Sequence, residues 1–321
     1  METPANKSVS NSMGKKLTRL QTEYSIIMAF LVIAVLASLA NSEFLTSSNI
    51  INILRQVSII GIISLGMTLI IISGGIDLSV GAVLALVGAL ALTVLNFTQS
   101  ITATLVAALM AGAFIGVING LLITKGKITP FIVTLGVMAS TRSLVLYYAK
   151  GGSIVSKVNE YTVIASGEIG GISYPVFIFL ACAVLMYILS QKTPFGRYVY
   201  AIGSNEKAAL LSAINVNMVK TGIYMLGGML TALAAVIESS RLNSMSSASS
   251  GINYELDAIA AVIIGGTRMS GGKGTIIGTF FGVLILGILN NTLNLMNISP
   301  YLQGMVKGLI IITAVLLQKK E

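Results

Sequence analysis

Apolar residues fill this chain in long, nearly unbroken runs, and polar residues collect in the short gaps between them. Runs of about 17–25 residues, enough to cross ~30 Å of hydrocarbon, fall at roughly 24–40, 51–73, 78–95, 101–124, 130–148, 174–190, 219–238, 256–272, 275–296 and 300–317. The pattern predicts an all-α integral membrane fold of about ten transmembrane helices. A single transmembrane domain would span 24–317, between a tail at 1–23 and a short tail at 318–321.

Two gaps stand out because they interrupt apolar sequence. Ser73-Gly74-Gly75-Ile76-Asp77-Leu78-Ser79 puts a carboxylate and a helix-breaking glycine pair inside a stretch long enough to cross a bilayer twice, a costly and often functional arrangement. Asp77 there either lies on a pathway or caps the start of a helix. Gly265, Gly266, Gly271 and Gly272 interrupt the eighth run, where a broken or re-entrant segment fits as well as a straight helix.

Composition narrows the chemistry. Of 321 residues, 55% are hydrophobic and 10% charged, too little polar surface for a soluble globule of this size. With no histidine, and Cys182 the single cysteine, internal disulfides, His/Cys metal sites and histidine acid–base chemistry are excluded. The net charge of +9 is placed as in a membrane protein and does not call for nucleic acid. With a cytoplasmic N-terminus, the inner segments collect most of the lysines and arginines, among them Lys125, Lys127, Lys192, Arg197, Lys207, Lys220, Arg268 and Lys273. The outer ones hold only Lys150, Lys157 and Arg241. This asymmetry supports an even number of spans with both termini in the cytoplasm. It also favours keeping the first run as a span, although Lys15, Lys16 and Arg19 before it and Ser38-Leu39-Ala40 after it resemble a cleavable signal. Arg55, Arg142 and Lys307 fall within or beside runs and are expected to snorkel or pair.

The chain also looks duplicated. Gly116-Val117-Ile118-Asn119-Gly120 matches Gly287-Ile288-Leu289-Asn290-Asn291, and Lys127-Ile128-Thr129-Pro130-Phe131 matches Asn297-Ile298-Ser299-Pro300-Tyr301. The Asp77 break has a counterpart in Glu255-Leu256-Asp257. Five spans separate corresponding points, so the repeats, about 24–150 and 174–317, would face opposite ways. Glycines at spacing four (Gly112, Gly116, Gly120; Gly274, Gly278, Gly282) predict close helix packing. Beside them Asn119, Asn290, Asn291 and Asn294 either line a cavity for a hydroxyl-rich neutral solute or bond helix to helix.

Two further segments bear on partners. Gly266 to Gly274 approaches a phosphate-binding loop, but Lys273 comes one place late and Gly274 replaces the Mg²⁺-binding hydroxyl, so it is read as no nucleotide site. The connector 191–220 contains Pro194-Phe195-Gly196-Arg197 and then Asn205-Glu206, an N-cap with an acidic first turn. The short helix it starts would present Ala208, Leu211 and Ile214 to a groove on a soluble partner.

Gly74 to Gly81, Phe195-Gly196-Arg197 with Asn205-Glu206, Tyr254 to Ala261, Gly265-Gly266-Thr267 and Gly271 to Gly274 together resemble the permease subunits of bacterial ribose/galactose/xylose-type ABC importers, and most nearly their ribose-handling members. That resemblance runs from about Ile50 to the C-terminus. It implies a non-enzymatic subunit that binds no cofactor and pairs with a second copy of itself in the bacterial inner membrane. Outside it would meet a periplasmic or lipid-anchored sugar-binding protein. Inside, ABC ATP-binding subunits carrying ATP and Mg²⁺ would dock on Gly196, Arg197, Asn205, Glu206, Ala208, Ala209, Leu211 and Ile214. The sequence departs from the family pattern at Ala213, where glycine is usual. Other readings are a permease for another pentose or hexose, a nucleoside or a branched-chain amino acid, and an ion-coupled transporter using Asp77, Glu238 and Asp257.

Overall fold

The structure, a computed structural model, describes residues 25–318. Residues 1–24 and 319–321, with Lys7, Lys15, Lys16, Arg19, Lys319 and Lys320, lie outside the described residues. Helices account for most of the described chain. In order they are α1 (Ser25–Ala40), α2 (Ser47–Ile72), α3 (Val80–Thr98), α4 (Ile101–Thr124), α5 (Pro130–Tyr148), the single turn α6 (Val163–Ser166), α7 (Tyr174–Lys192), α8 (Pro194–Ser204), α9 (Glu206–Leu211), α10 (Val216–Leu242), α11 (Tyr254–Ile264), α12 (Ile276–Leu295) and α13 (Pro300–Gln318). Two small antiparallel ladders join β1 (Ser153–Val155) to β4 (Ser244–Ser246) and β2 (Glu168–Ile169) to β3 (Ile172–Ser173).

Among the described residues, seven helices are long and apolar enough to cross a membrane: α2, α3, α4, α5, α7, α10 and α12. The helix α1 is apolar but shorter, and α11 has 11 residues. The eighth apolar run is therefore broken. The strand β4 and a run of turns lead into α11, which stops before the glycine-rich segment.

The helix α2 is the axis of the bundle. Almost every side chain from Val57 to Ile72 is buried, against α7, α10, α11 and α12. Outward faces of the peripheral helices carry bare apolar side chains, such as Leu36 on α1, Met110 and Phe114 on α4 and Leu185 on α7. A bundle that is apolar inside and out requires lipid as its solvent.

Glycine sets the closest approaches. A Cβ at Gly112 would run into the Gly228 carbonyl, one at Gly116 into that of Tyr224 and one at Gly120 into the backbone of Thr221, so the α4 stripe seats against α10. Gly278 and Gly282 likewise place α12 on the carbonyls of Gly265 and Ala261. Lipid supplies little drive for apolar surfaces to associate, so this backbone-to-backbone fit is the main attraction between those helices. Polar links add to it: Thr68 and Thr279 share a hydroxyl hydrogen bond of 2.7 Å between α2 and α12.

Candidate functional site

Three regions carry polar chemistry in this apolar frame. One lies at the end of the bundle formed by the two ladders, one inside it at the break after α2, and one at the opposite end, formed by α8 and α9.

At the ladder end, α2, α10, α11 and α12 enclose a cavity of about 220 Å³. Its polar lining is Gln56, Arg241, Tyr254, Asp257 and Asn290. Val57, Val283 and Leu286 supply apolar wall. Asp257 is held from behind by Lys307 on α13, whose Nζ reaches both carboxylate oxygens, at 2.8 and 3.0 Å. Tyr254 and Arg241 lie near the buried Glu238. Nearby, Arg142 of α5 donates from one nitrogen to the carbonyls of Ser247 and Ser250, each at 3.0 Å. Those carbonyls belong to the run of turns between β4 and α11, where regular helical bonding is missing and a buried acceptor would otherwise be unmet. Arg55, the third charged residue within a run, pairs with Glu168 of β2.

At the break, α2 ends in a Schellman motif. Gly74 N–H donates to Ile71 and Gly75 N–H to Ile70, with Gly74 at φ 83°. The same pair of bonds ends α11, with Gly266 at φ 82°. Only glycine holds such a backbone without steric cost. Asp77 is buried, and its Oδ1 accepts from Ser79 N–H at 2.8 Å and Ser79 Oγ at 2.6 Å, which fixes the start of α3. Asn119 of α4 donates to Ser79 Oγ at 3.1 Å. The start of α3 meets the start of α11: a Cβ at Gly81 would strike the Gly251 carbonyl and lie 2.8 Å from Glu255 Oε2.

At the far end, Thr193 caps α8, with Pro194 in its first turn. Asn205 Oδ1 caps α9 through Ala208 N–H at 3.0 Å, and Glu206 pairs with Lys220 of α10 at 2.7 Å. Gly196 and Ala209 face inward, whereas Arg197, Ala208 and Leu211 are exposed, Leu211 to 90%. Ile214 is intermediate. Gly203 of α8 sits where a Cβ would enter the Ile72 carbonyl and approach Gly272 N, and Gly272 N–H itself donates to Ile72 O at 2.8 Å. Tyr200 donates to the Gly274 carbonyl at 2.9 Å. The helix α8 thus bolts the Gly74–Gly75 break to the Gly271–Gly272 turn.

The four asparagines do not converge. Asn290 faces the cavity, and Asn119 joins the Asp77 break. Asn291 exchanges two hydrogen bonds with Asn49 of α2, at 3.0 and 2.7 Å, and Asn294 accepts from Gln303 at 2.8 Å. Sequence reasoning did not bring Gln56, Arg241 or Tyr254 together in a cavity. The sole signal for them was polar residues near the ends of apolar runs.

Residues 49–315 match the family model described as "Branched-chain amino acid transport system / permease component". The chain is 47% identical over 296 residues to the ribose import permease protein RbsC of Bacillus subtilis, covering 92% of each chain. It is 41% identical to the protein of that name from Escherichia coli K12, over 93% of this chain and 94% of that one. The L-arabinose ABC transporter permease protein AraH of Azospirillum brasilense is 34% identical, over 91% of this chain and 86% of the relative. No solved structure matches the chain.

Proposed function

Because this multi-pass membrane chain belongs to the branched-chain amino acid transport system permease component family, we propose that it is the membrane-spanning subunit of an ATP-driven importer and that its cargo is ribose. The observation that carries the cargo is near end-to-end similarity to two ribose import permeases, at higher identity than to the arabinose permease. The chain hydrolyses nothing itself; ATP and Mg²⁺ act on a partner ATP-binding subunit. A periplasmic or lipid-anchored sugar-binding protein delivers ribose, and a second copy of the chain completes the pathway.

In this reading ten spans form two inverted five-helix repeats in the bacterial inner membrane, with both termini cytoplasmic. Two local likenesses support the repeat. Lys127 and Asn297 share a left-handed backbone at φ 54°, each three residues before the proline that opens α5 or α13. The breaks at Asp77 and Glu255 lead into helices whose starts touch. The ladder end then faces outward and α8–α9 inward.

Transport follows from the bolt at Gly203. Closure of the ATP-binding subunit pushes on the exposed face of α9 around Leu211, and α8 passes the displacement to both glycine breaks at once. The halves tilt about those breaks, and access to the central pathway moves from the outside to the inside. The pathway must bind sugar weakly, since a tight site would trap it. Reconstitution with the ATP-binding and sugar-binding partners tests the reading: ribose accumulates in vesicles only with ATP. Accumulation in ATP-depleted vesicles that keep an ion gradient would overturn it in favour of ion coupling.

A further inference from the structure

We infer that the cavity between α2, α10, α11 and α12 is a way-station for a neutral polyhydroxyl solute, and that the charge balance of its Asp257–Lys307 pair is what excludes amino acids. The inference rests on the importer reading and adds the site and the basis of its selectivity.

Size and lining both fit. About 220 Å³ holds one small solute. Gln56 and Asn290 present amides, which donate and accept together as a hydroxyl does. Val57, Val283 and Leu286 give the C–H face of a sugar something to lie on.

Charge distinguishes the candidates within the family. A free amino acid carries an ammonium and a carboxylate, and each needs an uncompensated opposite charge to leave water. The acid on the cavity wall, Asp257, is already paired with a residue that does not line the cavity. Lys307 binds both oxygens of Asp257, so among the lining residues no carboxylate is left unpaired to receive an ammonium. The paired carboxylate can still accept from a hydroxyl, and Arg241 can donate to one, because a carboxylate has about four acceptor positions and a guanidinium five donors. The lining therefore offers dense hydrogen bonding with its one carboxylate already paired.

The test uses the full chain, reconstituted with its ATP-binding and sugar-binding partners, in a Cys182→Ala background with one cysteine returned at a time. Asn290→Cys lies on the cavity wall, Gln56→Cys is a second reporter in case the first fails to assemble, and Leu185→Cys on the lipid face of α7 is the control. Hydroxyethyl methanethiosulfonate, which is neutral, should label both cavity positions and abolish most ribose uptake, with ribose slowing the labelling during turnover. Labelled Leu185→Cys should transport normally. Adding Lys307→Met strips Asp257 of its counter-ion, so the rate of labelling at position 290 by the cationic aminoethyl reagent, relative to the neutral one, should rise severalfold. A merely structural Lys307 would leave that ratio alone. Full uptake after cavity labelling, or no labelling at either position, overturns the way-station; an unchanged ratio overturns the charge balance. If the unmodified complex imports no ribose, the importer reading itself has failed, which is a different result.

Discussion

Replacing Ala213 with glycine should tighten the end of α9, and the gain can be worked from the backbone. Ser212 caps α9, and the next two residues close it as in the Schellman motifs that end α2 and α11: Ala213 N–H donates to Leu210 and Ile214 N–H to Ala209, both at 3.1 Å. The left-handed position in α2 and α11 is held by Gly74 and Gly266, but here by alanine at φ 59°. A Cβ in that conformation costs ~1–2 kcal/mol. Glycine returns ~0.5–1 kcal/mol of this through its greater freedom in the unfolded chain. The net gain, ~0.5–1 kcal/mol, should slow local opening about two- to fivefold. Hydrogen exchange of the Ala213 and Ile214 amides in the detergent-purified chain reads it directly, with Ala213→Val as the opposite perturbation, since a β-branched residue is worse still at positive φ. Protection that is unchanged or lower in Ala213→Gly would refute the claim that Ala213 carries strain.

Gly203→Ala should drive a methyl into the Ile72 carbonyl and the Gly272 amide, at a cost of ~1–3 kcal/mol; ribose uptake should fall while the ATP-binding subunit still co-purifies, and normal uptake would count against the bolt. Leu211→Asp places a charge on a 90%-exposed side chain, so membrane levels should hold while co-purification of the ATP-binding subunit is lost. In a double-mutant cycle on Asn49 and Asn291, each changed to leucine, thermal stability should show a coupling of about 0.6–1.7 kcal/mol. Tyr161 lies outside the membrane-spanning helices, buried, with its hydroxyl on Ser239 at 2.7 Å and donating to the Val236 carbonyl at 3.1 Å. Burial pushes its pKa up to about 12. The unfolded chain therefore loses this proton first, so the stability linked to it is fully present below pH ~10 and is lost as pH rises through 12, a total of ~2–3 kcal/mol. Melting temperatures should fall less steeply across that window in Tyr161→Phe than in the unsubstituted chain.

The helices were legible because each needs only its own residues: about twenty apolar positions in a row, then glycine, proline or charge. The break after Ile72 was legible for the same reason, as was the Asn205 cap, a bond between residues three apart. The cavity was not. Gln56, Arg241 and Asn290 come from three helices far apart in the chain, and each looks, in sequence, like a polar residue near the end of a run. Which of them meet is decided by the glycine contacts that set how closely α11 and α12 approach. The asparagines show the same limit: Asn290 and Asn291 are adjacent, yet one faces the cavity and the other grips Asn49, because neighbours on a helix point about 100° apart.

The grip of Arg142 on Ser247 and Ser250 has a consequence for biogenesis. The guanidinium is made 105 and 108 residues before the carbonyls it bonds, so at about 5–20 residues per second α5 waits for some 5–20 seconds before its partners exist. During that interval a cation stands in an apolar helix without the bonds that later hold it. The run of turns before α11, for its part, emerges to find its donor already in place. Assembly therefore has a direction: the early half of the chain enters the membrane as a receptor, and the irregular segment of the late half is the piece that it receives.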